Sequence, residues 1–266
     1  MLSSDTVLIR EDDEGQIEEW TPEPGKTQAY LWPLYKSHVK KLKKIAGRDE
    51  IFLFHLGDIT QGTKYCEEGL PGVTLADQRI IAAENMSPLL ELPNVKKARF
   101  ITGTPVHVPD SAEARIAHVL AQSTGKDIRS YHHARVTIDG AILDLAHHGA
   151  YPGSRDWLTG NVALFHLRDR IYRDRRAGKR PADVYAYGHF HEWVHVLLED
   201  TWRGETRIHH LLIVPSYCGL GGYGRKATRS VPTLTNGLAA IEIVSDKIGH
   251  IQGIRDSLDL RQEETL

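Results

Sequence analysis

The sequence contains little cysteine, and its two cysteines form no recognisable pair. Cys66 and Cys218 lie far apart in the 266 residues, and no C-x-x-C motif occurs. Neither a disulfide framework nor a thiolate zinc site is therefore indicated. We expect any metal ion to be held by histidine and carboxylate side chains.

Long apolar runs and an excess of charge are also missing. No segment approaches the roughly 18 apolar residues that a membrane helix needs. The N-terminal sequence MLSSDTVLIREDDEG becomes acidic too early for a signal peptide. The 33 Lys and Arg nearly balance the 35 Asp and Glu, so no global field attracts nucleic acid. These absences predict a cytoplasmic protein that does not bind membranes.

The length and the 41% hydrophobic content suit one domain over residues 1–266, beginning with an acidic segment at 1–25. Strand patterns occur at 51–57, 98–103, 134–139, 141–147, 183–189, 193–199, 206–214 and 237–244. Helical patterns occur at 27–47, 74–92, 110–125 and 159–178. Strands and helices alternate in the first half, and adjacent strands dominate the second. This mixture predicts an α/β protein built from layered sheets with helices outside.

Ligand-type side chains follow four of the predicted strands. They are Asp58 after Gly57, His107 in GTPVH, the pair His147 and His148 before Gly149, and the histidines His189 and His191 of GHFH. Alone, Gly-Asp is most often a turn and a single histidine is most often a loop residue. Gly-His-x-His is sharper, since this composition produces it by chance only about 0.07 times. Loops at strand ends can bring such residues together on a rigid base.

Taken in chain order, the segments G-D, G-T-P-x-H, H-H-G and G-H-x-H resemble those of the calcineurin-like metallophosphoesterase superfamily. The usual blocks of that superfamily are D-x-H, G-D, G-N-H-[DE], a histidine before a small residue, and G-H-x-H. The G-T-P-x-H form, with DQRIIAAENMSPLLEL upstream, is similar to the phage-encoded branch. The match runs from about residue 25 to 255. It implies a calcineurin-like four-layer sandwich, in which two facing mixed β-sheets are flanked by helices.

The resemblance also implies a metal-ligand set of Asp58, His148, His189 and His191, with His107 as the catalytic residue. Asp58 would bridge two divalent ions, with His148 and His189 on one ion and His191 on the other. His107 would protonate the leaving oxygen or orient the phosphate. Manganese is the expected ion, with iron, zinc and nickel as alternatives. The implied reaction is hydrolysis of a phosphate ester, preferably a diester or nucleic acid, by a metal-bound hydroxide.

Two positions depart from the family pattern. Thr104 replaces the asparagine of G-N-H, and the D-x-H block is absent, because residues 1–25 contain no histidine. One ion would then keep only Asp58 and His191, so this chain is expected to hold one ion rather than two. Either the sequence begins downstream of the family's first strand or the site is degraded. We favour the first explanation, because every later block is intact. Whether His147 or His148 is the ligand stays open.

Basic segments at 37–44 and 168–180 bear on possible partners. Such segments attract phosphate backbones, although most are ordinary solvated helix faces. The alternative function is a non-catalytic or degraded protein of the same fold that binds nucleic acid or a protein partner. A purely structural zinc site is a third possibility. The Gly-rich segment 217–230 lacks the spacing of a phosphate-binding loop and is expected to be a loop near the metal site.

Overall fold

The computed structural model describes residues 6–11, 14–63, 73–108, 111–153, 158–219, 233–261 and 264. Its helices are α1 (Lys26–Ala46), α2 (Leu75–Leu90), α3 (Ala112–Thr124) and α4 (Asn161–Arg176). Its first strands are β1 (Leu8–Glu11), β2 (Ile17–Trp20), β3 (Ile51–His55), β4 (Val95–Ile101), β5 (Asp127–Tyr131) and β6 (Ala134–Ile138). The later strands are β7 (Ala141–Ala146), β8 (Val184–Tyr187), β9 (Val194–Trp202), β10 (Glu205–Ile213), β11 (Thr233–Val244) and β12 (Lys247–Asp259). The predicted α/β class is confirmed.

A three-stranded sheet carries the first two of the loops that contain the predicted site residues, with Asp58 after β3 and His107 after β4. Its order is β3-β4-β5, and both pairings are parallel, as in the register Leu53 to Ala98 to Ile128. The family resemblance implies that both main sheets are mixed, but over the described residues this sheet is parallel. Helices α1, α2 and α3 share a hydrophobic core with β4. Because parallel strands need crossover connections, helices between β3, β4 and β5 are the expected solution.

A five-stranded mixed sheet carries the other two site loops. Its order is β6-β7-β8-β10-β9, with β8 parallel to both β7 and β10 and antiparallel pairs at the two edges. The central strand β8 is buried at all four residues. Helix α4 contributes Ala163, Leu167 and Ile171, at helical spacing, to a core shared with β8 and β10.

A third core lies between strands of different sheets. It includes Phe52 and Ile101 of the three-stranded sheet and Leu143 and Leu212 of the five-stranded sheet. Ile241 and other residues of β11 and β12, which pair as a separate antiparallel sheet, pack against it. The two main sheets therefore share apolar packing, while the helices belong to two other cores.

The acidic N-terminal segment contains a β-hairpin that the sequence patterns did not predict. Strands β1 and β2 pair antiparallel in a sheet of their own, with Leu8 opposite Trp20. Leu8 is fully buried and packs with Ile81 of α2. Trp20 of β2 also packs against this pair, so both strands of the hairpin are anchored to α2.

Candidate metal centre

Loops that follow strands of both main sheets meet at one place. Asp58 follows β3, and its Oδ2 lies 3.0 Å from Nε2 of His147, which follows β7. The backbone N–H of Thr104, which follows β4, donates to Asp58 Oδ1 at 2.6 Å. His189 follows β8, and its Nδ1 lies 3.2 Å from His147 Nε2. Residues from four strand ends are therefore connected in series, from Thr104 to Asp58 to His147 to His189, by contacts of hydrogen-bond length.

Three histidines form a cluster that can hold a metal ion. One ligand atom each of His147, His148 and His189 lies within 4.8 Å of the others. Nδ1 of His147 is 2.6 Å from the carbonyl oxygen of Leu56, which can only accept a hydrogen bond. A neutral His147 therefore carries its proton on Nδ1 and a lone pair on Nε2, the atom that faces Asp58 and His189. Such a backbone contact is the usual way to orient a metal-binding imidazole.

The charge states suit cation binding. Burial and the neighbouring His148 and His147 lower the pKa of His189 to about 4. Burial and His147 also lower the pKa of His148. Burial alone would raise the pKa of Asp58, but its hydrogen bond to His147 and that residue's charge outweigh burial, and the pKa falls. Near neutral pH the site therefore presents a carboxylate at Asp58 and neutral imidazoles at His148 and His189, which are the ligand forms of these groups.

Three of the seven non-glycine residues with positive φ among the described residues are predicted site residues. Asp58, His189 and His191 have positive φ angles of 55°, 70° and 56°. A non-glycine residue in this region costs of order 1–3 kcal/mol and persists where its surroundings impose it. Such outliers are typical of functional sites, so these angles support the choice of residues.

Glycines beside the ligands allow the loops to approach closely. A Cβ atom added to Gly103 would lie 2.1 Å from the backbone nitrogen of Asp58. One added to Gly57, whose φ is +99°, would lie 2.5 Å from Nδ1 of His147. The glycines of the G-D and G-T-P-x-H segments are therefore required by contacts between loops.

Glu113 of helix α3 contacts the loop after β4, and the sequence did not mark it as a site residue. Its side chain is fully buried on the first turn of α3, and Oε1 accepts a hydrogen bond of 3.2 Å from the N–H of Gly103. Burial raises the pKa of this carboxyl group. The sequence signal was the acidic residue just after the start of α3, which is also an ordinary feature of helix N-termini.

His107 and His191 lie beside the three-histidine cluster and not in it. Nδ1 of His107 donates to the carbonyl of Gln61 at 2.8 Å, and the charge of His107 lowers the pKa of Asp58. Nδ1 of His191 lies 2.9 Å from Sγ of Cys218. Burial alone would lower the pKa of this imidazole, but the charge and hydrogen bond of Cys218 outweigh burial, the charge of Asp58 adds to them, and the pKa is raised.

Cys218 contacts the predicted ligand His191, a pairing that the sequence did not indicate. Burial alone would raise the pKa of its thiol, but the charge and hydrogen bond of His191 outweigh burial, and the pKa is lowered. The hydroxyl of Ser216 also donates to Sγ at 3.2 Å. Most of the predicted Gly-rich loop, residues 220–230, lies outside the described residues.

The basic segment on α4 is largely paired within the protein. Arg175 donates to Asp200 and, at 2.8 Å, to the carbonyl of Thr201. Arg170 pairs with the buried Asp144 at 3.3 Å. Arg173 pairs with Asp169 at 2.7 Å on the exposed face. These contacts favour the interpretation of the segment as a structural helix.

Comparisons with known proteins leave the family unassigned. No family model and no curated protein matches the chain. One similar solved structure is the solution NMR structure of the Thermotoga maritima protein TM1076, with 12% identity and a TM-score of 0.34. The match covers 76% of this chain and 96% of that one. Similarity at this level does not establish a shared fold, and membership of the calcineurin-like superfamily stays a prediction. Among the described residues, no helix is long and apolar enough to span a membrane.

Proposed function

We propose that the protein is a metal-dependent phosphoesterase that acts on phosphate diesters. The observation that carries this proposal is the contact of Asp58 and His189 with Nε2 of His147, at 3.0 and 3.2 Å. A carboxylate and a second imidazole that both approach one imidazole nitrogen form a donor set that a single cation can bind.

The donor set fits a divalent transition ion. Asp58, His147, His148 and His189 would hold it through carboxylate oxygen and imidazole nitrogen, which suit manganese, iron, zinc or nickel. When bound, such an ion neutralises phosphate charge and makes a coordinated water more acidic. The lowered pKa values of His148 and His189 keep both imidazoles unprotonated and able to bind.

His107 is the proposed catalytic residue. Its Nδ1–H is held by the carbonyl of Gln61, which orients the ring and assigns proton transfer to Nε2. Its charge reaches Asp58, so it borders the site without belonging to the three-histidine cluster. A proton donor at this place would assist departure of an alkoxide, which is the leaving group in diester hydrolysis.

The packing supports a calcineurin-like sandwich as the finer description of the fold. The two main sheets share one apolar core, and the core of α1, α2 and α3 and the core of α4 are separate from it. A four-layer order of helices, sheet, sheet and helix would produce this distribution.

The rival function, nucleic-acid or protein binding without catalysis, gains no specific support. It depended on the basic segments 37–44 and 168–180. In the first, Lys41 pairs with Asp256 at 3.7 Å, and in the second, Arg170 and Arg175 are used in internal ion pairs. A generic diester distinguishes the two functions, because a binding protein does not turn it over.

The first prediction tests turnover of bis-p-nitrophenyl phosphate by metal-reconstituted protein. We expect hydrolysis that requires a divalent ion and falls by roughly 100-fold or more in Asp58→Ala, because the charge that holds the ion is lost. His118→Ala, which removes an exposed histidine of α3, is the matched control and should keep full activity. Absence of metal-dependent turnover in the native chain, or equal rates in Asp58→Ala and His118→Ala, would contradict the proposal.

A further inference from the structure

The loop that follows β3 lies against His107, the proposed catalytic residue. The carbonyl of Gln61 accepts the Nδ1–H of His107 at 2.8 Å, and the hydroxyl of Thr60 donates to the backbone carbonyl of His107. Gly62 comes next, with a positive φ of 76°, and a Cβ atom added to it would lie 2.0 Å from the carbonyl oxygen of Val106. This part of the loop therefore packs directly against the segment that contains His107.

Gln78 of α2 binds the same part of the loop through both ends of its amide group. Its Oε1 accepts the backbone N–H groups of Gln61 and Gly62 at 3.0 and 2.9 Å, and its Nε2 donates to the carbonyl of Gly62 at 3.1 Å. The N–H of Gly62 and the carbonyl of Gln61 belong to one planar peptide group. Gln78 therefore binds one side of the peptide group whose other side binds His107.

The position of Gln78 is set by the first turn of α2. The hydroxyl of Thr74 accepts the N–H of Asp77 at 3.1 Å, and the carboxylate of Asp77 accepts the N–H of Thr74 at 2.7 Å. The next turn contributes Ile81 and Ala82, which are both buried, to apolar cores. Gln78 therefore extends from a capped and packed helix end, which is a rigid base for its contacts with the loop.

We propose that Gln78 is a positioning residue for His107. The peptide group that Gln78 binds directs its carbonyl at Nδ1, so a neutral His107 keeps its proton on Nδ1 and its lone pair on Nε2. The chemical use of Nε2 rests on the proposed function. As the phosphorus–oxygen bond breaks, the leaving oxygen takes the bonding pair and the proton from Nε2, and His107 is left neutral with its proton on Nδ1. The contacts of Gln78 thus favour the form of His107 that proton transfer produces.

Nitrogen-15 spectra of the histidine-labelled, metal-free full chain test this arrangement without any measurement of activity. At alkaline pH, where histidine is neutral, the ring nitrogen shifts distinguish the Nδ1–H form from the Nε2–H form. The signal missing from His107→Ala identifies His107. We expect the Nδ1–H form in the native chain and a mixture of both forms in Gln78→Met, which keeps a long side chain without the three hydrogen bonds. Gln122→Met, at an exposed glutamine of α3, is the matched control and should keep the native signal.

A His107 signal that stays in the Nδ1–H form in Gln78→Met, or that changes equally in Gln122→Met, overturns the proposal. Gln78→Glu is the second variant, because it keeps an oxygen acceptor for the two N–H groups but no donor for the carbonyl of Gly62. It should change the signal in the same direction and to a smaller extent. If circular dichroism shows that Gln78→Met does not fold, a native His107 signal in Gln78→Glu overturns the proposal instead.

The leaving group separates this inference from the proposed function. Hydrolysis of the dinucleotide thymidylyl-thymidine releases an alkoxide that needs a proton, whereas bis-p-nitrophenyl phosphate releases a phenolate that departs without one. We expect kcat for the dinucleotide to fall by roughly 100-fold in His107→Ala and by roughly 10-fold in Gln78→Met, with rates on the nitrophenyl diester near the native value. Equal losses on both substrates in Gln78→Met would overturn the positioning role. If the native chain hydrolyses neither substrate, the proposed function is contradicted, and the form of His107 in the spectra still decides the role of Gln78.

Discussion

His147 and His148 are adjacent in sequence but have different surroundings. His147 is 3% exposed and binds the carbonyl of Leu56, whereas His148 is exposed. Both offer a ligand atom to the same cluster. His147 therefore has a structural contact as well as a place in the three-histidine cluster, whereas His148 has only its place in the cluster.

The second prediction compares alanine variants of these two histidines. Both changes should lower the metal content of dialysed protein. In metal-free protein, His147→Ala should reduce the free energy of unfolding by about 1–3 kcal/mol, because the Leu56 carbonyl loses its partner. His148→Ala should change it by no more than about 0.5 kcal/mol. Urea unfolding measures both values. Equal destabilisation by the two changes would contradict the assigned difference.

At the scale of single residues, the sequence selected side chains at strand ends but not the contacts between them. Asp58 and His189 were selected by their order along the chain and their places at strand ends. The distinction between His147 and His148 depends on the carbonyl of Leu56, 91 residues away in sequence. Cys218 was set aside because its partner is a histidine 27 residues away and not a second cysteine. Such pairings arise only from tertiary structure.

At the scale of elements, segments with a clear apolar pattern were predicted, and strands with few buried residues were missed. All four helices begin and end within two residues of the expected bounds. Strand β5, DIRSY, has one buried residue, Ile128. In β12 only Ile254 is buried along thirteen residues. Without an apolar alternation, β-pairing is decided by neighbouring strands and leaves little trace in the sequence.

The third prediction concerns the ion pairs of α4. Arg175→Gln should lower the free energy of unfolding by about 1–2 kcal/mol, because Asp200 and the carbonyl of Thr201 lose a partly buried charged donor. Arg173→Gln is the matched control on the same helix. Its pair with Asp169 is exposed, so the change should cost no more than about 0.5 kcal/mol.

Urea unfolding of both arginine variants separates a structural helix from a binding face. A stability loss confined to Arg175→Gln supports the structural interpretation. Unchanged stability in both variants, together with weaker nucleic-acid binding that depends less on salt, would instead restore the binding interpretation of this helix.

At the scale of the whole molecule, the candidate site joins the two main sheets. Asp58 and Thr104 extend from β3 and β4, whereas His147 and His189 extend from β7 and β8. Elsewhere these sheets meet through apolar side chains such as Ile101 and Leu143. An ion held by Asp58 and the histidines would therefore add a link between sheets at their polar edge.

The fourth prediction follows from this link. An ion that binds only the folded state stabilises it by about 2.7 kcal/mol at 100 times its dissociation constant. Hydrogen exchange should show where this stabilisation acts. In the native chain, zinc should slow exchange in peptides that cover both β3 and β8. In Asp58→Ala, β8 should keep part of its protection through His147 and His189, while β3 should gain none, because its only ligand is removed.

Asp49→Ala is the matched control for the exchange experiment, since it removes an exposed aspartate just before β3 and should respond to zinc like the native chain. A gain at β8 alone in the native chain would mean that the ion is held by the histidines and does not join the sheets. Equal gains at β3 in the native chain and in Asp58→Ala would remove Asp58 from the ligand set. Zinc should slow exchange at both strands in the native chain and should not slow it at β3 in Asp58→Ala. This result is expected only if one ion connects the two strands, because the two chains differ only at residue 58.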